Sequence, residues 1–346
     1  MGGLELEAVF SYDCLLGHEY VERFFARVIE GGKVGHAYLF FGPRGVGKKT
    51  FAFYLAQWLL CRDSSREGPC LECVSCQKVQ HNNHPDISFF SPAEDRLWIP
   101  LEAVMQIQRE VSYAPLEGGY RIAIVDEVER MNEEAANAFL KTLEEPQGNA
   151  IFILLAENIY SLKDTIVSRV QKVRFAPLSL ERVWGYCRRE FSEEGVLDGV
   201  VYSSMGSLER VRQFMDSGWL ERRDWLLGML EGEEFRFSSG FVEGILGQLE
   251  SFSKRQARRK ELVETLELLE TLFRDLGVLS SCSRGILFHP DRRDRLEEIS
   301  RKCSFVEWFH LFHLCWQTRQ KLAYNLHLEL TLENFAIEFQ QEWGLS

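Results

Sequence analysis

The stretch HAYLFFGPRGVGKKT, residues 36–50, decides the fold of this chain. It opens with an apolar run from Ala37 to Phe41, passes through a glycine-rich turn, and leads into a helical pattern from Lys48 to Leu60. This order predicts a buried strand, a loop and a helix. The spacing from Gly42 to Lys48 matches the phosphate-binding loop, in the strand-to-helix position that the motif requires.

In such a loop, successive backbone N–H groups surround a phosphate, and the helix dipole favours its negative charge. We therefore predict nucleotide contacts from Gly42, Gly45, Gly47 and Lys48, with Lys48 reaching the terminal phosphates. The alternative interpretation is a tight glycine turn followed by an exposed lysine. The flanking strand and helix patterns favour the phosphate loop.

The residue after the loop lysine departs from the motif. A Ser or Thr there ligates Mg²⁺ through its hydroxyl, but this chain has Lys49, with Thr50 one place later. Because an α-helix turns about 100° per residue, Thr50 points in a different direction from the expected ligand. The sequence thus predicts ATP or ADP binding, with Lys49 and Thr50 at the Mg²⁺ position, but not efficient hydrolysis.

Further strands and helices alternate along the first half of the chain. Apolar runs at 87–90, 121–125 and 150–155 predict strands, and the segments 101–113 and 132–143 predict helices between them. This alternation indicates an α/β fold with a parallel sheet covered on both faces. After Pro177 the patterns are helical, with a turn at 205–207 and long amphipathic segments at 254–277 and 308–343.

An acidic pair, Asp126 and Glu127, comes directly after the third predicted strand. Ligands of open α/β sheets bind at the carboxyl ends of the strands, so this pair fits a Walker B element. Asp126 would then hold Mg²⁺, and Glu127 would polarise the attacking water. The alternative is an acidic first turn of a helix.

Four cysteines cluster within sixteen residues: Cys61, Cys70, Cys73 and Cys76. Four thiolates on a short loop suit a closed tetrahedral Zn²⁺ site, so we predict structural zinc rather than a catalytic metal or disulfides. The nearby His84-Pro85-Asp86 predicts a turn into the strand at 87–90. The remaining cysteines predict buried or inert thiols; they are Cys14, Cys187, Cys282, Cys303 and Cys315.

Length and charge restrict the class of protein. The 346 residues exceed the usual size of one hydrophobic core. The net charge of −12 argues against unaided, non-specific binding to nucleic acid. No apolar run approaches the roughly 20 residues of a membrane span, and the first residues lack the pattern of a secretory signal. We therefore expect a soluble, cytoplasmic protein without a membrane partner.

Together these features resemble the clamp-loader branch of the AAA+ ATPases, the bacterial gamma/tau and delta-prime subunits of DNA polymerase III. The likeness covers roughly the first 220 residues closely. The matching stretches are HAYLFFGPRGVGKKT, GGYRIAIVDEVERMNEEAANAFLKTLEEP and DTIVSRVQKVRF, with the cysteine insertion before the NHPD turn.

The resemblance implies roles for three further residues. Arg169 matches the arginine finger of the family's Ser-Arg-Cys motif, which acts on ATP held by a neighbouring subunit. If the motif stood alone, a surface arginine paired with a carboxylate would be the favoured interpretation. Asn158 is the match to the sensor 1 residue. Glu209 occupies the place of the sensor 2 arginine, where a carboxylate would repel the γ-phosphate.

The surviving finger and the altered loop resemble delta-prime more than gamma. The implied function is that of a stator and finger donor with little hydrolysis of its own, within ATP-driven loading of the sliding clamp by a DNA-directed DNA polymerase holoenzyme. The implied partners are gamma/tau and delta subunits in a hetero-pentamer, the sliding clamp, and primer-template DNA through the complex. Alternatives are an active gamma-like ATPase, with Thr50 as the substitute hydroxyl, and a nucleotide-blind scaffold.

The resemblance also implies three domains. Residues 1–175 would form a RecA-like AAA+ domain with the zinc module at 61–76. Residues 176–222 would form a small helical lid domain. Residues 223–346 would form an all-helical collar domain for assembly.

Overall fold

The computed structural model describes residues 17–63, 68–92, 98–191, 194–232, 244–245, 247, 255–281, 285–323 and 328–343. Contacts group the chain into two compact units. One comprises Met1–Tyr186 with Gly206–Glu209, and the other comprises Cys187–Met205 with Arg210–Ser346. The three functional domains inferred from the resemblance stay a prediction.

The first unit is built on a five-stranded parallel sheet in the order β2-β3-β4-β1-β5. Its strands are β1 (Ala37–Phe41), β2 (Ile87–Phe90), β3 (Arg121–Val125), β4 (Ala150–Ala156) and β5 (Gln171–Arg174). The helices connecting them are α1 (Glu19–Glu30), α2 (Lys48–Leu60), α3 (Val74–Gln80), α4 (Leu101–Ser112), α5 (Glu133–Glu144) and α6 (Asp164–Val167).

The sheet is buried on both faces because successive side chains of a strand point to opposite sides. In β1, Leu39 packs on the face that also holds Phe139 of α5. Its neighbour Phe40 packs on the other face with Phe25 of α1 and Phe51 of α2. The central strand β4 is buried along its whole length. The predicted α/β fold with a phosphate loop is therefore confirmed.

Most predicted boundaries agree with the structure to within one residue. The predicted helix at 132–143 begins one residue later, because Asn132 is the N-cap and its side chain accepts a 2.8 Å hydrogen bond from the Ala135 N–H. The strand β5 was not predicted. Only Val173 of its four residues is buried, so this polar edge strand lacks the apolar run used to find the other four.

The rest of the described chain is helical, as predicted, with the turn at 205–207 in positive-φ backbone at Met205 and Gly206. Positions 254 and 324–327 of the predicted amphipathic segments lie outside the described residues. The helices are α7 (Leu180–Glu190), α8 (Glu194–Ser203), α9 (Leu208–Asp216), α10 (Trp219–Glu231), α11 (Arg255–Ser281), α12 (Arg293–Ser300), α13 (Phe305–Ala323) and α14 (Leu328–Trp343).

Helix α11 packs along α13, which in turn packs on α14. At the first of these contacts the rings of Phe273 and Trp308 stack with centroids 5.9 Å apart. The second unit also buries the imidazole of His289, which contacts Thr271 Oγ1 at 3.0 Å and stacks on Trp219. The tightly packed ring leaves no room for the hydration shell of an imidazolium ion.

His289 should make the stability of this unit pH-dependent. Burial holds the pKa of His289 well below 6.5, aided by the nearby Arg223 guanidinium and opposed by Asp224. As the pH falls, the unfolded chain therefore takes up a proton on His289 before the folded chain does. The free energy of unfolding should fall below pH 6.5, by up to about 1.4 kcal/mol per pH unit. Urea unfolding of the wild type and of His289→Asn from pH 7.5 to 5.5, a range of about two units around the unfolded pKa, gives the free energy of unfolding at each pH. That free energy should change less steeply with pH in the variant. Equal slopes would contradict the prediction.

Candidate nucleotide site and cysteine cluster

The loop after β1 has the backbone that its glycines allow. Gly42, Gly45 and Gly47 have φ of 152°, 72° and 98°, in the region that disfavours other residues. A Cβ on Gly42 would lie 2.0 Å from the Phe175 carbonyl oxygen, and one on Gly45 would lie 2.2 Å from Ser207 Oγ. Gly42 and Gly45 are therefore required by close packing as well as by dihedral angle.

Lys48, the first residue of α2, is buried and bound to the loop. Its Nζ donates to the carbonyl oxygens of Gly42 and Pro43 at 2.6 and 2.7 Å. Burial lowers the pKa of Lys48, while the carboxylates of Glu157 and Asp126 oppose that shift. The ammonium group is thus positioned inside the loop, where a phosphate would be held.

The acidic pair after β3 lies at the same edge of the sheet, because all strands are parallel and their carboxyl ends meet there. Burial raises the pKa of Asp126, whose Oδ1 accepts the Glu127 N–H at 3.0 Å. Glu127 has a positive φ of 48° and forms an ion pair with Arg130. The predicted Walker B residues therefore lie at the edge of the sheet where the phosphate loop begins.

Glu129 and Glu157 were not predicted as parts of this site. One carboxylate oxygen of Glu129 accepts the Glu157 N–H at 2.8 Å, which joins the segments after β3 and β4. The other oxygen is buried without a hydrogen-bond partner in the described part of the chain, and burial raises the pKa of the carboxyl group. The sequence signal was the position of both residues just past the carboxyl ends of neighbouring strands.

Lys49 lies near Asp126 rather than in open solvent. Its Nζ is 4.1 Å from the centroid of the Phe89 ring in β2, the strand beside β3. After burial, the Lys49 charge has the largest influence on the pKa of Asp126 and lowers it. The Lys49 ammonium group therefore lies over a ring of the strand beside β3, and its charge favours the ionised form of the carboxylate that was predicted to hold Mg²⁺.

Glu209, in the place of the sensor 2 arginine, lies against the phosphate loop. Its Oε1 is 3.7 Å from Arg44 Nε, and its Cβ would be 2.7 Å from a Cβ on Gly45. The position thus holds a carboxylate in contact with the loop.

The predicted sensor 1 residue, Asn158, is exposed and caps a short 3-10 turn, where its Oδ1 accepts the Tyr160 N–H at 2.9 Å. Its role toward nucleotide stays a prediction.

Arg169 follows α6 and is partly exposed. Its guanidinium donates to the Thr165 carbonyl oxygen at 2.8 Å and pairs with Glu144 at the end of α5. The ion pair with Glu144 matches the alternative interpretation of Arg169, a surface arginine paired with a carboxylate. Val170, which stands in place of the family's cysteine, is buried in the core next to Arg169 in the chain.

The four clustered cysteines converge in the structure. Cys61 follows the end of α2, Cys73 caps α3, and Cys76 lies in the first turn of α3. Their Sγ atoms and that of Cys70 all lie within 4.8 Å of one another, and Cys70 Sγ is 3.9 Å from Cys76 Sγ. The Cys70 N–H donates to Cys61 Sγ and the Cys73 N–H to Cys70 Sγ, both at 3.3 Å.

This geometry fits a tetrahedral metal. Zinc–sulfur bonds of about 2.3 Å place neighbouring sulfurs about 3.8 Å apart, close to the Cys70–Cys76 separation. Backbone N–H groups that donate to sulfur stabilise the thiolates that zinc requires. The four cysteines are therefore suited to hold a zinc ion as a closed, structural site.

A buried polar network connects this cluster to the sheet. His84 accepts the Asp86 N–H at Nδ1, so its Nε2 carries the proton and donates to Ser75 Oγ at 3.0 Å. Asp86, fully buried, accepts from the Leu116 and Glu117 N–H groups and from Arg121. The predicted turn at 84–86 is confirmed, and it also orients α3.

Of the scattered cysteines, Cys187 and Cys315 are buried and Cys303 is partly buried, while Cys14 and Cys282 lie outside the described residues. Burial raises the pKa of Cys187 to about 11, which keeps that thiol protonated and inert. In the part of the chain that the structure describes, no helix combines the length and apolar character needed to cross a membrane.

Comparisons with known proteins relate the site to DNA replication proteins. The chain is 37% identical over 150 residues to the DNA polymerase III subunit delta' of Bacillus subtilis, covering 43% of this chain and 45% of the relative. It is 23% identical over 352 residues to the tau subunit of the same organism, covering 95% of this chain and 61% of the relative. The chain thus spans less than two thirds of these relatives.

A solved structure of a DNA polymerase III gamma subunit-related protein from Thermotoga maritima aligns over 93% of this chain and 99% of its own, with 16% identity and a TM-score of 0.44. Residues 17–179 match the family model described as "DNA polymerase III, delta subunit". That segment contains the sheet, the phosphate loop and the cysteine cluster. Residues 17–179 of the chain are therefore similar to the DNA polymerase III delta-subunit family.

Proposed function

We propose that this chain is a delta-prime-type subunit of a bacterial clamp loader. It takes part in ATP-driven loading of the sliding clamp on primed DNA, acts as a stator, and offers Arg169 to the ATP site of a neighbouring subunit. The observation that carries this proposal is the charge at the phosphate loop. Lys49 stands where the motif has a hydroxyl that ligates Mg²⁺, its Nζ lies over the Phe89 ring, and Glu209 lies against the loop.

Lys49 and Glu209 should both lower the rate of ATP hydrolysis. Phosphoryl transfer depends on a metal that neutralises charge on the β- and γ-phosphates, and on cations aimed at the transferring group. An ammonium group at the metal ligand's position and a carboxylate at the sensor 2 position remove both contributions. The glycine geometry of the loop is retained, which supports nucleotide binding without turnover.

Arg169 supports the second half of the proposal. It lies on a short turn between α6 and β5, where its side chain is about one third exposed and paired with Glu144. A partly exposed guanidinium held by one carboxylate can exchange that partner for a phosphate across a subunit boundary. The pair with Glu144 would then fix the position of the Arg169 side chain while the ATP site of the neighbouring subunit is empty.

The remaining assignments rest on the relatives. We propose gamma/tau and delta subunits as partners in a hetero-pentamer, the sliding clamp as the protein acted on, and DNA contact through the complex, consistent with the net charge of −12. Zinc is the proposed structural cofactor. The helical residues from 223 onward are proposed as the assembly domain, with 176–222 as the lid.

The isolated chain should show no ATP turnover above the background of a Lys48→Ala variant, because the proposed site lacks the metal ligand and the sensor arginine. A coupled ATPase assay measures this directly. Turnover that disappears in Lys48→Ala would instead establish an active gamma-like ATPase. Normal assembly with the polymerase III partners, without any nucleotide bound, would establish a nucleotide-blind scaffold.

A further inference from the structure

The family resemblance implies a Mg²⁺ ion beside the nucleotide, and the residues at that position do not fit one. Magnesium requires near-ideal octahedral coordination by oxygen and keeps several water ligands. Position 49, the second residue of α2, supplies an ammonium group instead of a hydroxyl. An ammonium group cannot donate an electron pair to a metal, and its charge repels one.

The Lys49 side chain is directed along a defined path. Its Nζ lies over the Phe89 ring, at 4.1 Å from the centroid, and a cation is attracted to the face of such a ring. Phe89 packs in turn against Phe53, one helical turn after Lys49 in α2. The two packed rings place the Lys49 ammonium group near the carboxyl end of β2.

Asp126 is at that same end. The Asp126 N–H donates to the Phe90 carbonyl oxygen at 2.8 Å, which places the aspartate next to β2. Of the two lysines at the start of α2, Lys49 is the one whose charge favours the ionised form of Asp126 more. The acidic group that would hold a metal ion therefore already lies within the electrostatic influence of a side-chain cation.

Two of the other carboxylates at the loop have arginine partners. Arg130 pairs with Glu127, and Arg44 lies 3.7 Å from Glu209. Lys48, at the floor of the loop, donates to the backbone carbonyl oxygens of Gly42 and Pro43. Lys48 and Lys49 are therefore the two lysines at the start of α2 that an anionic ligand in the loop would meet, in addition to the helix dipole.

We propose that this phosphate loop binds a nucleoside di- or triphosphate without a divalent cation, with the Lys49 ammonium group in the place of Mg²⁺. The proposal rests on the nucleotide-binding part of the proposed function, and it is independent of the role of Arg169. A lysine is permanently attached, so the occupancy of this counter-charge does not depend on the metal concentration. The same substitution that prevents metal-assisted hydrolysis would thus preserve a tightly held, unreacted nucleotide.

Calorimetric titration of the purified full chain with ADP, and separately with ATP, tests this in EDTA and in excess MgCl₂. We expect binding in EDTA, with a dissociation constant that excess Mg²⁺ changes by less than about threefold. Lys49→Ala should weaken binding in EDTA by about tenfold or more. Lys49→Thr should bind poorly in EDTA but regain affinity with Mg²⁺, because it restores the hydroxyl ligand.

Two further variants separate charge from folding. Lys49→Met keeps an aliphatic side chain against Phe89 and should lose affinity as Lys49→Ala does. Lys141→Ala removes an exposed lysine of α5 and should bind as wild type. Thermal melting of each variant checks that the chain remains folded.

Wild-type binding that requires Mg²⁺ would overturn the proposal, as would the absence of binding in both buffers. Neither outcome affects the finger role, which is measured at the partner's ATP site. Conversely, loss of that role would leave metal-free binding standing.

Discussion

Replacing Arg169 with alanine should lower the clamp-stimulated ATPase of a reconstituted loader while leaving the complex assembled. A guanidinium that neutralises charge on the transferring phosphoryl group is typically worth about 10³-fold or more in rate at the site it serves. Since a loader holds several ATP sites, we expect the loss to be confined to the neighbouring subunit's site. Single-turnover hydrolysis in complexes with one active partner site measures it.

Three variants distinguish a finger from a structural arginine. Arg169→Lys keeps the charge but loses the planar fork, so it should restore little of the rate. Glu144→Ala removes the partner seen in the free chain and should leave the rate nearly unchanged. Arg27→Ala, at an exposed arginine in α1, serves as the matched control. Unchanged hydrolysis in Arg169→Ala, or failure of that variant to assemble, would refute the finger role.

Removing the metal from the cysteine cluster should have the largest effect on stability. The purified chain should contain about one equivalent of zinc, and Cys73→Ser should lose it. Structural zinc contributes apparent binding free energies of about 10–16 kcal/mol in small peptides. Here the sheet provides its own core, so we expect a smaller loss of about 3 kcal/mol or more in the free energy of unfolding.

Elemental analysis and chemical denaturation provide the two measurements. Hydrogen exchange should locate the loss of protection at α3 and the end of α2, because the ligands join these two helices. Cys303→Ser, outside the cluster, should retain the metal. A Cys73→Ser chain that keeps zinc and wild-type stability would contradict the prediction, and so would a wild-type chain that folds without metal.

The local features of this protein were predictable because their determinants are close together in sequence. The strand, loop and helix from Ala37 to Leu60 are consecutive, so glycine spacing and apolar pattern suffice to place them. The cysteine cluster is also local, and thiolate chemistry alone indicated a metal site. The missed strand β5 shows where this approach ends, because a polar edge strand is specified by its pairing with β1.

The distant contacts of the site could not be predicted in this way. Glu129 and Glu157 are joined by a hydrogen bond between segments that follow different strands. The buried Asp86 finds its partners about thirty residues later in the chain. Sequence patterns record the periodicity of an element but not which loops meet at the edge of a sheet.

The sequence by itself determined the α/β fold, the phosphate loop with its altered metal-ligand position, and the four-cysteine cluster. Only the tertiary structure decided what Lys49, Glu209 and Arg169 contact. Lys49 of α2 contacts Phe89 of β2, Glu209 contacts Arg44 of the loop, and Arg169 pairs with Glu144. The physical reason is that charge interactions depend on distance and burial, and both are set by the packing of segments that are far apart in the chain.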